Sequence, residues 1–182
     1  MADDIRDLLG GWRPEGEGRP ENENTEPRAL HEKEVQVLGL WRPVDDSDPD
    51  GPITDAVVIL RDNQGRRLPI EIGPFETMAI HYALQGTPTE RPITHDLFKN
   101  VVERLGAQVE RVIIDDVWDK TYYAKVEPAK TEKDPPMLID SRPSDAIALA
   151  LRFSAPIYVA EEVLKTSATS VTDTDADQDD ED

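Results

Sequence analysis

The chain has 182 residues, a net charge of −19 and no cysteine. That length suits one ordinary domain with tails, and without thiols there are no disulfides and no thiolate metal sites. The acidity aids solubility and repels polyanions over most of the surface. This argues against a broad basic groove for DNA or RNA, while local basic spots stay open.

The N-terminus, MADDIRDLLGGWRP, lacks a basic segment followed by an apolar core, so it reads as no secretory signal. No apolar run reaches the ~20 residues of a membrane span. A cytoplasmic protein with no membrane partner is the expectation. Asp4 to Leu9 could form a turn or two of amphipathic helix, but a frayed start explains it as well. Residues 13–31 are rich in Pro, Gly, Glu and Asn, so residues 1–31 read as a disordered N-terminal extension.

Glu34 to Trp41 alternates apolar residues and predicts a strand. Residues 42–55, RPVDDSDPDGPITD, read as a polar loop. Ala56 to Leu60 and Leu68 to Ile72 predict two more strands, with Asn63 and Gly65 in a hairpin turn between them. Gly73-Pro74 ends the strand and starts a helix. Phe75, Met78, Ala79, Tyr82 and Ala83 fall at helical spacing on it, and Gly86 fits its C-terminal stop. Thr94 reads as the N-cap of a second helix that buries Leu97, Phe98, Val101, Val102 and Leu105 and stops at Gly106.

Ala107 to Val117 and Thr121 to Val126 predict strands joined by a tight turn at Trp118, Asp119 and Lys120. Val112, Ile114, Tyr122, Ala124 and Val126 mark their buried set. After a loop, Met137 to Asp140 gives a short strand. A buried, alanine-rich helix over Ala146 to Phe153 follows, with Ser141 the better cap, and Ile157 to Val159 gives a last strand. Residues 165–182 lack periodicity and read as a disordered acidic tail. The fold class is therefore α+β: a single domain over 32–164 with three main helices on a mostly antiparallel or mixed sheet.

Three segments carry the residues able to do chemistry. In DSRPSDAIALALR, Pro143 suits a first helical turn and Asp145 complements the helix dipole. Arg142 does not fit that account, because a cation there meets the positive end of the dipole. It requires an anionic partner, either a carboxylate or a bound anion. In GPFETMAI, Glu76 stands in a first turn, where dipole complementation alone explains it; His81, further along, is a lone histidine. In ERPITHDLF, Arg91 sits in a loop, and His95 has a side chain suited to proton transfer, although Thr94 and Asp96 are explained as capping groups. No nucleotide-binding loop, zinc-protease or serine-hydrolase signature is present. Oxygen ligands for Mg²⁺ or Mn²⁺ remain available.

Taken together and in this order, IEIGPFETMAI, RPITHDLF and DSRPSDAIALALR resemble the bifunctional nuclease domain family, over about residues 32–164. The resemblance implies an α+β domain, assembly into homo-oligomers, and cleavage of DNA and RNA. It carries over to Glu76, Arg91, Thr94, His95, Asp140, Arg142, Ser144 and Asp145. In a phosphodiesterase, Glu76, Asp140 and Asp145 would be catalytic carboxylates that could ligate Mg²⁺ or Mn²⁺. His95 would move protons, and Arg91, Thr94, Arg142 and Ser144 would bind the nucleic acid substrate. Two other readings stand beside it. One is a non-catalytic binding or regulatory module whose motif residues form structural ion pairs. The other is a sensor that takes a small anion at the helix N-terminus.

Overall fold

The computed structural model describes residues 30–41, 56–129 and 137–170. The extension before Leu30, the loop 42–55 and the tail after Ser170 lie outside the described residues. Eight strands form one sheet: β1 (Lys33–Trp41), β2 (Ala56–Asp62), β3 (Arg66–Ile72), β4 (Val109–Trp118), β5 (Thr121–Pro128), β6 (Ile139–Ser141), β7 (Ile157–Val159) and β8 (Thr169–Ser170). Among the described residues four helices accompany them: α1 (Pro74–Gln85), α2 (Thr94–Arg104), α3 (Pro143–Phe153) and α4 (Glu161–Ser167). The α+β class and the mixed sheet read from the sequence are those of the structure.

The strand order is β6-β5-β4-β7-β1-β2-β3-β8. Only the β4–β7 pair is parallel; the others are antiparallel. The short strand β7 is thus central, inserted between β1 and β4. In a flat sheet β3 and β4, four places apart, would lie about 19 Å from each other. The seven-residue α4 contacts both, so the sheet curls. Val163 and Leu164 of α4 are buried.

The alternating strands supply a single core. Val58, Leu60, Leu68, Val112, Ile114 and Ala124 are fully buried. Of the set expected on β4 and β5, Tyr122 alone is only half-buried. The hairpin after β2 turns at Gly65, whose N–H donates to Asp62 O at 3.2 Å. The β4–β5 turn places Asp119 and Lys120 at φ 44° and 62°, the left-handed pair that a two-residue hairpin requires. α3 is buried from Ala146 through Ala150, because its alanines allow close approach to α1, β4 and β5.

Of the residues at helical spacing on α1, Ala79 is buried together with Thr77 and Ile80, while Phe75 is 81% exposed. Two expectations need correction. α2 buries no residue at all, since it lies at the margin of the helical layer against α3. Finally, ordered chain runs past 165, because α4 continues to Ser167 and Thr169–Ser170 pairs with β3.

Candidate functional site

The polar start of α3 is the centre of the arrangement. Arg142 is the N-cap, with extended backbone at φ −70° and ψ 145°, and Pro143 opens the helix. No side chain caps it, and the Ser141 hydroxyl donates instead to Arg142 O at 3.1 Å. Ser141 is therefore not the cap. Asp145, in the first turn, takes Arg142 Nε on Oδ2 at 2.9 Å and Nη2 on Oδ1 at 3.3 Å. Arg142 Nη1 reaches Glu76 Oε1 at 2.7 Å. The cation at the wrong end of the dipole is thus held by two carboxylates.

Glu76 comes from the first turn of α1, which Gly73 and Pro74 begin. A Cβ on Gly73 would stand 2.8 Å from Glu76 Oε2, so the glycine leaves room for this carboxylate. His95 comes from the first turn of α2. Its Nε2 lies 3.0 Å from Asp145 Oδ1, which makes Asp145 common to the guanidinium and the imidazole. Burial pushes the Asp145 carboxyl upward, but hydrogen bonds from Arg142 and His95 outweigh it and hold the group below its ordinary value. The Arg142 guanidinium is correspondingly raised, first by its hydrogen bond to Asp145.

Thr94 is not the cap of α2. Ile93 occupies that position, and Asp96 Oδ2 accepts the Ile93 N–H at 3.1 Å. Asp96 is fixed in turn by Arg152, whose side chain is 7% exposed and whose Nε donates to Asp96 Oδ1 at 2.6 Å. Arg152 Nη1 also donates to Ala79 O at 2.9 Å and Ala148 O at 3.0 Å. One buried guanidinium therefore ties α1, α2 and α3 together, one residue from His95. Sequence reasoning passed over it, because an arginine in a last helical turn is an ordinary complement to the dipole.

A cavity of about 660 Å³ opens beside this cluster, lined by Glu76, Thr94, His95, Asp140, Arg142 and Asp145 and, Ser141 apart, by apolar and aromatic side chains. Six of the eight candidate residues meet there. Asp140 is the least integrated, being paired with Lys125 opposite it on β5. Ser144 is buried and faces a second cavity, of about 970 Å³, on the other side of Arg142. Arg91 is exposed and lines neither cavity. Among the described residues no three His, Asp or Glu side chains converge as a metal cage. Glu76 and Asp145 face a guanidinium and Asp140 an ammonium, so the carboxylates as they stand fit organic cations and not a divalent ion.

Against known proteins, residues 58–172 match the family model described as the bifunctional nuclease domain. The chain is 36% identical over 141 residues to an uncharacterized protein of Mycobacterium tuberculosis, covering 77% of this chain and 79% of that one. It is 28% identical over 109 residues to bifunctional nuclease 2 of Arabidopsis thaliana, covering 59% of this chain and 33% of the relative. Over 116 residues it is 28% identical to bifunctional nuclease 1 of Oryza sativa subsp. indica, covering 63% and 35%. The chain thus spans about a third of the length of these plant relatives. With the family model matched over more than half of its length, the chain belongs to the bifunctional nuclease domain family.

Proposed function

We propose that the protein is a nuclease that hydrolyses phosphodiester bonds of DNA or RNA at the Arg142–Asp145–His95 cluster. The observation that carries this reading is the sharing of Asp145: one carboxylate orients both an imidazole and a two-thirds-exposed guanidinium at the edge of a cavity. With Nε2 turned to Asp145, Nδ1 is the ring nitrogen left to accept a proton from an attacking water. Asp145 would stabilise the resulting imidazolium. Arg142 would neutralise the charge that builds on the phosphate oxygens. The same imidazolium could return its proton to the leaving oxygen.

Mutual pairing of Arg142, Asp145 and Glu76 also favours a second reading, a binding or regulatory module in which these are structural ion pairs. Cleavage of single- and double-stranded DNA and RNA separates the two, assayed with Mg²⁺, with Mn²⁺ and with chelator, for the wild type beside His95→Ala and Asp145→Ala. The nuclease reading expects kcat to fall on the order of 10²- to 10⁴-fold in His95→Ala with the fold intact. Activity that survives both substitutions unchanged belongs to another site or a contaminant. Metal dependence is read from the same assay, and Mg²⁺ or Mn²⁺ entering the site would have to displace Arg142 from Glu76 or Asp145. We further propose that the chain assembles as a homo-oligomer, through the exposed apolar side chains Leu97 and Val101 of α2.

A further inference from the structure

We infer that the apolar part of the 660 Å³ cavity is a nucleobase subsite, and that the substrate is therefore an unpaired strand presenting one unstacked base beside the scissile phosphate. The inference rests on the nuclease reading of the Arg142 cluster and adds to it the class of nucleic acid. Three aromatic side chains line the cavity: Phe75 and Tyr82 from α1 and Phe98 from α2. Phe75 is 81% exposed and Phe98 46%, so their faces are available to a ligand and do not serve the core. Helical periodicity in α1 would send Phe75, Met78 and Tyr82 inward; all three stand at the cavity instead.

A nucleotide has the matching shape, a flat apolar face joined to an anion. Seating its phosphate on Arg142 brings the base over the aromatic wall, and aromatic stacking accepts any base because each has a π-face. A duplex cannot make this contact without breaking a pair. Charge points the same way. The chain carries −19 overall, which disfavours following a duplex backbone through many phosphate contacts. Affinity has to come from stacking plus a single phosphate clamp.

The full-length protein tests this in two measurements. In the first, calorimetry compares adenosine monophosphate with ribose 5-phosphate. The base should tighten binding on the order of tenfold, Phe98→Ala should remove that gain, and Phe98→Trp should restore it. In the second, one sequence is offered as a single strand and annealed. The single strand should be cut at least about tenfold faster, with Phe98→Ala raising KM and leaving kcat. Truncating a half-exposed Phe98 removes no core, so the variant stays folded. Equal affinity for the two phosphates overturns the subsite, as does duplex cut as fast as single strand. If Phe98→Ala changes only the oligomeric mass and not nucleotide affinity, the aromatic wall belongs to a subunit contact and the inference falls. Absence of cleavage on every substrate removes the nuclease reading alone, because the base preference in calorimetry stands or falls separately.

Discussion

Two carboxylates share one guanidinium at the start of α3, and they hold it unequally. Asp145 takes two of its nitrogens and Glu76 takes Nη1. A phosphate arriving at Arg142 Nη1 has to displace Glu76, so Glu76 acts as the anion's rival there. Glu76→Gln removes that rival's charge and should tighten binding of inorganic phosphate on the order of tenfold, measured by calorimetry; weaker binding would make Glu76 a supporting group instead. Asp145 has a different signature. Its folded value lies below the ordinary carboxylate range, with burial opposed and outweighed by Arg142 and His95. A depressed carboxylate contributes stability that is present above its unfolded value of about 3.9 and is lost as pH falls through the folded value. Asp145→Asn should therefore flatten part of the acid limb of stability against pH, below about pH 4, in denaturant midpoints. An acid limb identical to the wild type would mean that the two hydrogen bonds do not favour the ionised form.

α2 is an element whose position does not come from burial. It has no buried residue, and its ties to α3 include the Arg152–Asp96 pair, the Lys99 Nζ bond to Arg152 O at 2.7 Å, Lys99 over the Phe153 ring, and His95 on Asp145. Arg152→Met removes the donor from Asp96 Oδ1, and the guanidinium's bonds to two helix carbonyls, while Ile93 N–H stays on Asp96 Oδ2. A loss of about 2 kcal/mol in chemical denaturation is expected, with amide exchange rising in α2 more than in α1. A uniform rise in both helices would show that Arg152 holds the whole layer and not α2 in particular. Next to the cavity-facing Thr94, His95 and Phe98, α2 and its C-cap carry a second stripe, Leu97, Val101 and Leu105, exposed by 57%, 46% and 79%. If this stripe joins subunits, Val101→Glu should reduce the mass found by light scattering to that of one chain; an unchanged mass places the contact elsewhere. These two helices also mark how far the sequence could be read. Strand alternation and the all-round apolar α3 fixed their own burial, because nothing but a core suits them. The periodicity of α1 and α2 showed only that a face is apolar, and it could not tell a core from a cavity wall or an uncovered surface. Arg142 was legible because its charge opposed its place on the helix. Arg152 was not, because its charge agrees with its place.

The charge of the whole molecule constrains how it can meet nucleic acid. Proteins that track a polyanion release one set of counterions per phosphate neutralised, and their affinity falls steeply with salt. Here the net charge is −19. At the cluster Arg142 is the exposed cation, and its two carboxylate partners already offset it. Contact with one phosphate of a single strand corresponds to a slope of about −0.7 in log affinity against log salt. Between 50 and 200 mM salt the affinity should then drop by a factor of only about 3, whereas six phosphate contacts to a duplex would lower it about a thousandfold. Repulsion from the acidic surface is screened over the same range and offsets part of even that small loss. The proposed substrate contact therefore predicts a nearly salt-independent KM for a short single strand. A steep slope, as of several phosphates held at once, would place the binding surface elsewhere on the chain, on cations outside the α3 cluster, and would separate the nucleic acid path from the cavity at Arg142.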